Sequence, residues 1–363
     1  MRLDTQVLVV GGGPAGAMAG RWLAENGKDI ILLERNLSYA KPCGGGVSLN
    51  TFDEFNLSRA SIKKEVHGLQ IVSPKGNRVE IDLNDQGLAM VERREFDGDL
   101  RRGAELQGAR IIEGEFLRVL DDQKCRIEAL IEGAKTEIVS EYIIAADGVN
   151  SRVRTSLGIE PFPTLLTLSE RIPGPDLDYC EFWFGPSQAS YSYSWVFPAG
   201  DGLSVGTGVF EPKIIKNLFQ QFKVRAGLTG PGKGRAYRIP VWRGELYYRN
   251  KILFAGDSAG QVLPLSYEGI YYAMKAGEMA ARAILEGKVG NYKKMWKARF
   301  QKRFNLLDRL NRYFLKDDNS AEKLIALHRR PEVQEASLLL WLRKDKSRQS
   351  LRHYLKLFGK FLH

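Results

Sequence analysis

The sequence VLVVGGGPAG, residues 7–16, decides the fold of this chain. Its four apolar residues have the composition of a buried β-strand, and the glycines follow with the spacing Gly11-x-Gly13-x-x-Gly16. Residues 15–25 then predict a helix. This order is typical of a βαβ unit that binds a dinucleotide, because the glycines allow a tight turn and let backbone N–H groups approach a pyrophosphate. The alternative is an ordinary strand–turn–helix whose glycines have this spacing by chance.

An acidic residue completes the motif at the end of the next predicted strand. Residues 30–33 are a second apolar run, and it ends in Glu34. An acid at this place accepts hydrogen bonds from a ribose diol. The N-terminus of the helix adds partial positive charge near the pyrophosphate. The predicted dinucleotide site therefore consists of Gly11, Gly13, Gly16 and Glu34.

The composition is that of a folded protein. The chain has 363 residues, of which 44% are hydrophobic and 27% charged, and this length allows two domains or one large composite. No apolar run approaches the roughly 18 residues that span a bilayer, and the first strand begins too early to leave room for a signal peptide. Cys43, Cys125 and Cys180 are far apart, so we expect no disulfide framework, no zinc site or other metal, and a reducing, cytoplasmic location.

The positive charge is concentrated in the last fifth of the chain. Residues 288–363 contain 20 Lys and Arg against 7 Asp and Glu, whereas the whole chain has a net charge of +11. The last predicted helix, residues 347–362, is basic and amphipathic. Its apolar face consists of Leu351, Leu355, Phe358 and Leu362. This helix either docks on the protein's own body or binds an anionic membrane surface, whereas nucleic acid is not expected because nothing upstream resembles a nucleic-acid module.

A cysteine stands directly before three glycines in the sequence KPCGGGVS, residues 41–48. Three consecutive glycines exclude a regular element and predict a loop of close backbone approach near the cofactor. Cys43 is then either a small packed hydrophobe or a thiol that reacts or contacts the cofactor, and the local sequence leaves both interpretations open.

Asp147 and Gly148 follow a buried strand that is predicted over residues 142–146. An acid at the carboxyl end of a strand, with Arg154 about one turn later, suits contact with phosphate or ribose. The alternative is a helix start that Ser151 caps.

A similar order recurs later in the chain. Residues 251–255 predict a strand, Asp257 follows it, and a helix is predicted over residues 270–286. We therefore expect a second helix N-terminus to meet another part of the cofactor.

The sequence YSYSWVF, residues 191–197, alternates between aromatic and small residues. In a strand this alternation places four large rings on one face. Such a face is usually core, and it can also line a pocket for an apolar or planar ligand.

Taken in this order, the motifs resemble a known family. The glycine motif and the motifs Arg93-x-x-Phe96-Asp97, Asp147-Gly148 and Gly256-Asp257 resemble the FAD-binding fold of the para-hydroxybenzoate hydroxylase superfamily. Within that superfamily, PCGGG at residues 42–46 and YSWVFP at residues 193–198 resemble the geranylgeranyl reductase family. The resemblance covers residues 1 to about 290.

The resemblance implies an α/β fold, with a Rossmann-type FAD-binding domain, a β-sheet substrate domain and a helical C-terminal region. The expected FAD-binding domain is discontinuous and comprises residues 1–65, 92–157 and 237–290. The expected β-rich substrate domain comprises residues 66–91 and 158–236, and the basic helical region comprises residues 291–363.

The same resemblance implies non-covalent FAD and hydride transfer from reduced flavin to carbon–carbon double bonds of an isoprenoid substrate. NADPH, NADH or reduced ferredoxin would supply the electrons without a second Rossmann domain. The resemblance implies that Ala15 and Glu34 contact the pyrophosphate and adenosine ribose, and that Arg93 and a residue near Leu117 contact the AMP half. It places Cys43, Gly44 and Gly46 beside the flavin. It places Asp257, Gly269 and Ile270 at the ribityl chain, pyrophosphate and isoalloxazine edge. Tyr193, Trp195 and Phe197 would wall the prenyl pocket.

Reduction of an isolated alkene also needs a proton. Cys43 is the first candidate to supply it or to tune the flavin, and Tyr267 is the second. Tyr267 is also a departure from the family, which usually has glycine there, and its ring would reshape the pocket. The alternative functions are an aromatic hydroxylase on the same fold, a halogenase, which the replacements at Tyr193 and Phe197 disfavour, and a non-enzyme with structural FAD.

Overall fold

The computed structural model describes residues 1–84, 86–200, 202–230, 232–342, 344 and 356–358. In these residues the chain forms three β-sheets with helices packed against them. The strands are β1 (Arg2–Val10), β2 (Ile30–Glu34), β3 (Gly46–Ser48), β4 (Ile62–Val66), β5 (Gly68–Val72), β6 (Arg78–Asp82), β7 (Leu88–Val91), β8 (Arg110–Asp121), β9 (Arg126–Ile131), β10 (Ala134–Ala145), β11 (Thr164–Ile172), β12 (Tyr179–Phe184), β13 (Tyr193–Pro198), β14 (Leu203–Val209), β15 (Arg235–Pro240), β16 (Tyr248–Arg249) and β17 (Ile252–Phe254). The helices are α1 (Pro14–Glu25), α2 (Leu49–Glu54), α3 (Arg93–Leu106), α4 (Arg152–Ser156), α5 (Ile215–Arg225), α6 (Ile270–Leu285), α7 (Gly290–Trp296), α8 (Lys302–Phe314), α9 (Asp318–Leu327) and α10 (Pro331–Trp341), with a π-helical turn at Lys297–Gln301 between α7 and α8.

The first sheet contains the predicted βαβ unit. Its parallel strands lie in the order β8-β2-β1-β10-β17, β16 extends the edge, and β9 pairs antiparallel with both β8 and β10. Val7 and Val9 face the core under α1, α3 and α6, whereas Leu8 and Val10 face the core on the opposite side. Because both faces are covered, β1 is apolar without alternation, as buried parallel strands are. The predicted α/β fold is confirmed.

The second sheet has the order β15-β11-β14-β13-β12-β5-β6. Within it, β5 and β6 form a hairpin and pair antiparallel. The next strand, β7, pairs instead with β3 and β4 in a separate three-stranded sheet. The domain boundaries themselves stay a prediction.

The helices after residue 290 pack in the same core as α1 and α6. Tyr292, Trp296, Phe300 and Phe304 recur every four residues and are fully buried in the same core as α1 and α6. The C-terminal helices are therefore part of one continuous core. In the described part of the chain, no helix is long and apolar enough to cross a membrane.

Most of the last predicted helix, residues 347–362, lies outside the described residues. Within it, residues 356–358 are helical. Phe358 is buried against Phe314 and His328, with ring centroids 6.2 Å from each. At Phe358 the structure therefore agrees with the alternative in which this helix docks on the protein's own body.

Candidate active site

A tight glycine turn joins β1 to α1 at the edge of a long cleft. Gly11 has a φ of +103°, and a Cβ there would lie 2.4 Å from the Ala146 carbonyl oxygen. A Cβ on Gly16 would lie 1.8 Å from the carbonyl oxygen of Gly11, so both positions need glycine. A Cβ on Gly13 would meet nothing within 4 Å, because Gly13 faces the open cleft. A bound group can therefore approach the backbone closely at Gly13.

Two helix N-termini open onto this cleft. Gly13 precedes α1 and Gly269 precedes α6, and neither has a side chain that could bond the first-turn N–H groups. The two helices cross in close contact, since a Cβ on Gly277 would lie 2.1 Å from the Ala15 carbonyl oxygen. Uncapped N–H groups and the positive ends of two helix dipoles together suit a pyrophosphate.

Glu34 lies at the end of β2 and is fixed by the backbone. Its Oε2 accepts the Gly12 N–H at 2.7 Å, and its Oε1 accepts the Asn36 N–H at 3.0 Å. Arg101 of α3 lies beside it and donates to the carbonyl oxygens of Gly12 at 3.2 Å and Leu37 at 2.8 Å. Arg101 could not be predicted as a site residue from the sequence, because its position depends on how α3 packs against the glycine turn.

Asp147 follows β10 and contributes an acceptor without a partner. Its Oδ2 accepts the Val153 N–H at 3.1 Å, whereas the buried Oδ1 has no hydrogen-bond partner among the described residues. Burial raises the pKa of Asp147, although hydrogen bonds from Ser151 and the backbone oppose this shift. A buried, unpaired acceptor in the cleft lining fits a hydroxyl group of a bound dinucleotide. The alternative helix cap is present as well, because Ser151 Oγ accepts the Arg154 N–H at 3.0 Å.

Asp257 is paired with a lysine that the sequence analysis did not single out. Lys41 Nζ lies 2.6 Å from Asp257 Oδ2 and 4.5 Å from the centroid of the Tyr237 ring. Burial alone would lower the pKa of Lys41, but the charge of Asp257 raises it overall. The position of Lys41 two residues before Cys43 was the available signal in the sequence.

The PCGGG loop lies against two rings of β13. Gly45 has a φ of +88°, and a Cβ on Gly44 would lie 2.8 Å from the Phe197 ring and 3.5 Å from Trp195 Nε1. The thiol of Cys43 is half-buried and accepts the Gly45 N–H at 3.4 Å. These glycines allow the loop to bring Cys43 to the aromatic wall.

Arg93 lies at the Cys43 end of the cleft. It forms a buried ion pair with Asp97 at 2.7 Å, and burial alone would lower its pKa, but Asp97 and Cys43 raise that pKa overall. The resemblance implies a contact between Arg93 and the AMP half. In the structure the α3 arginine at the Glu34 end is Arg101, about two helical turns further along.

The structure brings most of the predicted site residues together. The cleft lining includes Gly11, Gly13, Ala15, Glu34, Cys43, Gly44, Gly46, Arg93, Asp147, Tyr193, Trp195, Phe197, Asp257, Tyr267, Gly269 and Ile270. Gly16 is outside the lining because it packs beneath the turn, on Gly11. Leu117 is also outside it, and the neighbouring Glu115 and Phe116 line the cleft instead.

The aromatic wall has three rings from β13. The ring centroids of Tyr193 and Phe197 each lie 6.3 Å from that of Trp195. The ring centroid of Phe182, in β12, lies 4.9 Å from those of Tyr193 and Phe197. The prediction of four rings on one face is wrong at Tyr191. That residue precedes β13 in a turn with a φ of +51°, and it is 37% exposed.

Tyr267 occupies a left-handed turn at the cleft, with a φ of +51°. Its hydroxyl donates to the Tyr191 carbonyl oxygen at 2.8 Å, and burial raises its pKa. The hydroxyl is therefore protonated near neutral pH and already engaged with the backbone.

The C-terminal region supplies a further wall that sequence analysis missed. Trp341 at the end of α10 lines the cleft, and so do Leu342 and Lys344 after it. Ser48 Oγ donates to the Leu342 carbonyl oxygen at 3.3 Å, and Lys344 pairs with Glu268. These contacts attach Leu342 to the end of β3 and Lys344 to the turn before α6.

Comparison with known proteins places the chain among reductases. Residues 4–170 match the FAD binding domain family. The chain is 30% identical to the chloroplastic geranylgeranyl diphosphate reductase of Arabidopsis thaliana, over 93% of this chain and 80% of that protein. It is also 30% identical to the digeranylgeranylglycerophospholipid reductase of Methanosarcina acetivorans, over 77% of this chain and 75% of that protein.

The fold also matches a solved structure. A geranylgeranyl bacteriochlorophyll reductase-like protein from Thermoplasma acidophilum superposes with a TM-score of 0.85. The match covers 100% of this chain and 98% of that protein. The sequence identity is 23%, so this match supports the fold only.

Proposed function

Because this chain belongs to the geranylgeranyl reductase family of FAD-dependent oxidoreductases, we propose that it reduces carbon–carbon double bonds of an isoprenoid substrate. The substrate would be an apolar prenyl chain, free or carried by a lipid. The observation that carries this proposal is the contact between the PCGGG loop and the rings of Trp195 and Phe197. It joins the dinucleotide cleft to an apolar wall within one continuous cavity.

The residues present fit FAD. The glycine turn and the two uncapped helix N-termini would hold its pyrophosphate. Glu34 would bind the adenosine ribose, and Arg101 would support that end of the cleft. The unpaired Oδ1 of Asp147 would accept a hydrogen bond from a cofactor hydroxyl. When bound and reduced, FAD supplies the hydride equivalent.

The protein would supply the pocket and the proton. Tyr193, Trp195 and Phe197 would exclude water and hold an alkene flat against the cofactor side of the cleft. Cys43 is the first proton donor that we propose, because it lines the same cleft as these rings. Tyr267 is the second, although its hydroxyl must first leave the Tyr191 carbonyl oxygen.

The electron donor would bind transiently. Among the described residues, the glycine turn after β1 is the only one with the full dinucleotide fingerprint, and FAD would fill it. NADPH, NADH or reduced ferredoxin would therefore reduce the cofactor without a Rossmann domain of its own.

We further propose that the protein is cytoplasmic and attaches to anionic membranes, where prenyl lipids reside. Lys294, Lys302, Arg309 and Lys316 recur at helical spacing from α7 to just past α8 and are exposed, whereas the opposite side of these helices is buried core. Lys302 and Arg309 lie about 10 Å apart along the axis of α8, and with Lys294 and Lys316 they form what we call the cationic stripe. Such a surface complements acidic lipid headgroups.

The mass of the product tests the proposed reaction. FAD-loaded protein, reduced with dithionite under anaerobic conditions, should add about two mass units per reduced bond to geranylgeranyl diphosphate or a geranylgeranyl lipid. The absence of an anaerobic product, together with a gain of about sixteen units on an aromatic substrate under oxygen, would support the hydroxylase instead.

A further inference from the structure

A second cavity lies behind the aromatic wall. This inner pocket lies between the second sheet, helices α8 to α10 and residues 263–266, and its volume is about 120 Å³. Its apolar lining includes Leu69, Ile71, Phe182, Ile325, Leu338 and Trp341. Phe182, Tyr193, Ser266 and Trp341 line both the inner pocket and the cleft. A boundary of shared side chains therefore lies between the two cavities.

The polar groups of the inner pocket are satisfied within the protein or lie at this boundary. His328 bonds the Leu324 carbonyl oxygen at 2.9 Å and Ser337 Oγ at 3.1 Å, and burial lowers its pKa, so the ring is neutral. The Gln334 amide donates to the His328 carbonyl oxygen at 2.7 Å. The pocket thus presents no charge to a ligand, and its lining is mostly apolar.

The size of the inner pocket suits a short hydrocarbon segment. An apolar cavity of roughly 150 Å³ accepts a benzene ring. A volume of about 120 Å³ therefore corresponds to about five carbon atoms, which is one isoprene unit. A phosphate or glycerol headgroup would leave its polar atoms unpaired there, so the apolar end of a chain is the better occupant.

We propose that the inner pocket binds the terminal isoprene unit of the substrate chain, and that it thereby favours chains long enough to reach it. This proposal rests on the proposed function and adds a chain-length preference to it. Trp341 stands at the entrance, where its ring packs edge-on against Phe182 with centroids 5.8 Å apart. Rotation of that ring would connect the pocket with the part of the cleft beside Cys43.

Filling the pocket tests this preference. Leu338→Phe adds volume inside the inner pocket, and Leu339→Phe adds the same volume on the next residue of α10, which is outside the lining. Binding of two-unit and four-unit prenyl alcohols would be measured by equilibrium dialysis against oxidised, FAD-loaded protein, in which no turnover occurs. Leu338→Phe should weaken binding of the four-unit alcohol at least about tenfold, because about five of its carbon atoms would lose their buried site. The two-unit alcohol should change less than twofold, and Leu339→Phe should resemble wild type.

Three other outcomes have distinct meanings. Equal loss for both chain lengths in Leu338→Phe, or no loss for either in a variant that keeps its FAD, would overturn the inner-pocket proposal. If Leu338→Phe does not fold, Leu338→Ala replaces it and should raise affinity for a five-unit alcohol relative to the four-unit one; an unchanged ratio would overturn the proposal. If wild-type protein neither binds nor reduces any prenyl chain, the proposed function itself fails.

Discussion

Lys344 Nζ lies 2.5 Å from Glu268 Oε2, although the two residues are 76 positions apart. The Lys344 side chain is only 3% exposed, and its ammonium also donates to the Trp341 carbonyl oxygen and lies 5.1 Å from the centroid of the Tyr271 ring. Glu268 directly precedes Gly269, where α6 begins. The ion pair therefore attaches the C-terminal wall of the cleft to the helix that would face the cofactor.

Loss of this lysine should destabilise the protein strongly. We expect Lys344→Met to lower the free energy of unfolding by about 3–5 kcal/mol, because Glu268 would remain buried without a partner. Urea denaturation of the FAD-loaded protein measures this change. Lys302→Met is the matched control at an exposed position and should change stability by less than about 0.5 kcal/mol. Adding Glu268→Gln to Lys344→Met should recover much of the loss; equal effects of the two lysine variants would contradict the finding.

The crossing of α1 and α6 should tolerate no side chain at Gly277. A Cβ there would lie 2.1 Å from the Ala15 carbonyl oxygen, so Gly277→Ala should separate the helices. We expect a loss of stability of about 1–3 kcal/mol, as in other overpacked cores, together with weaker FAD retention. Gly20→Ala in α1 is the control, because its Cβ would lie 3.5 Å from Leu32, an ordinary contact. Thermal denaturation and the flavin absorbance after dialysis report both effects, and parallel behaviour of the two variants would refute the helix-crossing argument.

Replacement of Cys43 separates its two interpretations. If the thiol supplies the proton, Cys43→Ala should keep FAD but slow anaerobic product formation by about 10²- to 10⁴-fold. Cys43→Ser, which retains a weaker donor, should fall between this variant and wild type. Wild-type turnover by Cys43→Ala would show that the thiol is a packed side chain.

The stability of the protein should fall at acidic pH partly through Glu54. Burial alone would raise the pKa of Glu54, but Lys275, Arg299 and Tyr271 lower it below its ordinary value of 4.5. Because the pKa is lower in the folded state, the stabilising contribution is present above pH 4.5 and is lost as the pH falls through the folded pKa. Glu54→Gln should therefore be less stable than wild type at neutral pH, and the difference should shrink below pH 4.5.

Denaturation of wild type and Glu54→Gln across this pH range measures the effect. The exposed Glu25 provides the control substitution, Glu25→Gln, for which we expect little change at neutral pH. A constant difference between Glu54→Gln and wild type at every pH would argue against the ion-pair network as its source.

Membrane attachment should depend on the cationic stripe. The double variant Lys302→Glu/Arg309→Glu should lose sedimentation with phosphatidylserine vesicles, and wild-type binding should weaken with added salt. Lys213→Glu/Lys216→Glu makes the same charge change at exposed positions near α5 and should still bind. Equal binding by both double variants would remove the stripe from the proposal. Truncation near residue 290 is less informative, because it removes Trp296 and Phe300 from the core.

Features that depend on a few adjacent residues could be predicted from the sequence. Gly11, Gly13 and Gly16 have their roles because local backbone geometry leaves no room for a side chain, or leaves the backbone open to the cleft. The strands and helices around them follow from apolar runs and their lengths. This is why α1, β2 and α6 were predicted almost to their ends, whereas β1 begins at Arg2, well before the apolar run at residues 7–10.

Features that depend on packing could not be predicted in this way. Arg101 reaches the Glu34 end only because α3 lies across the glycine turn. Trp341 and Lys344 come to the cleft from a region whose composition indicated only basic helices. Tyr191 was wrongly predicted to lie in the aromatic strand. The alternation of aromatic residues in the sequence begins at Tyr191, whereas β13 begins only at Tyr193.

The position of Lys344 in the site also has a consequence for the order of events during synthesis. The glycine turn leaves the ribosome early, whereas Trp341, Leu342 and Lys344, which line the same cleft, leave it much later. At about 5–20 residues per second, this interval is about 15–70 seconds. During it the nascent chain exposes an open Rossmann turn and an uncovered aromatic strand. The cleft is complete only once Lys344 has been synthesised, so we expect stable FAD binding to follow that point.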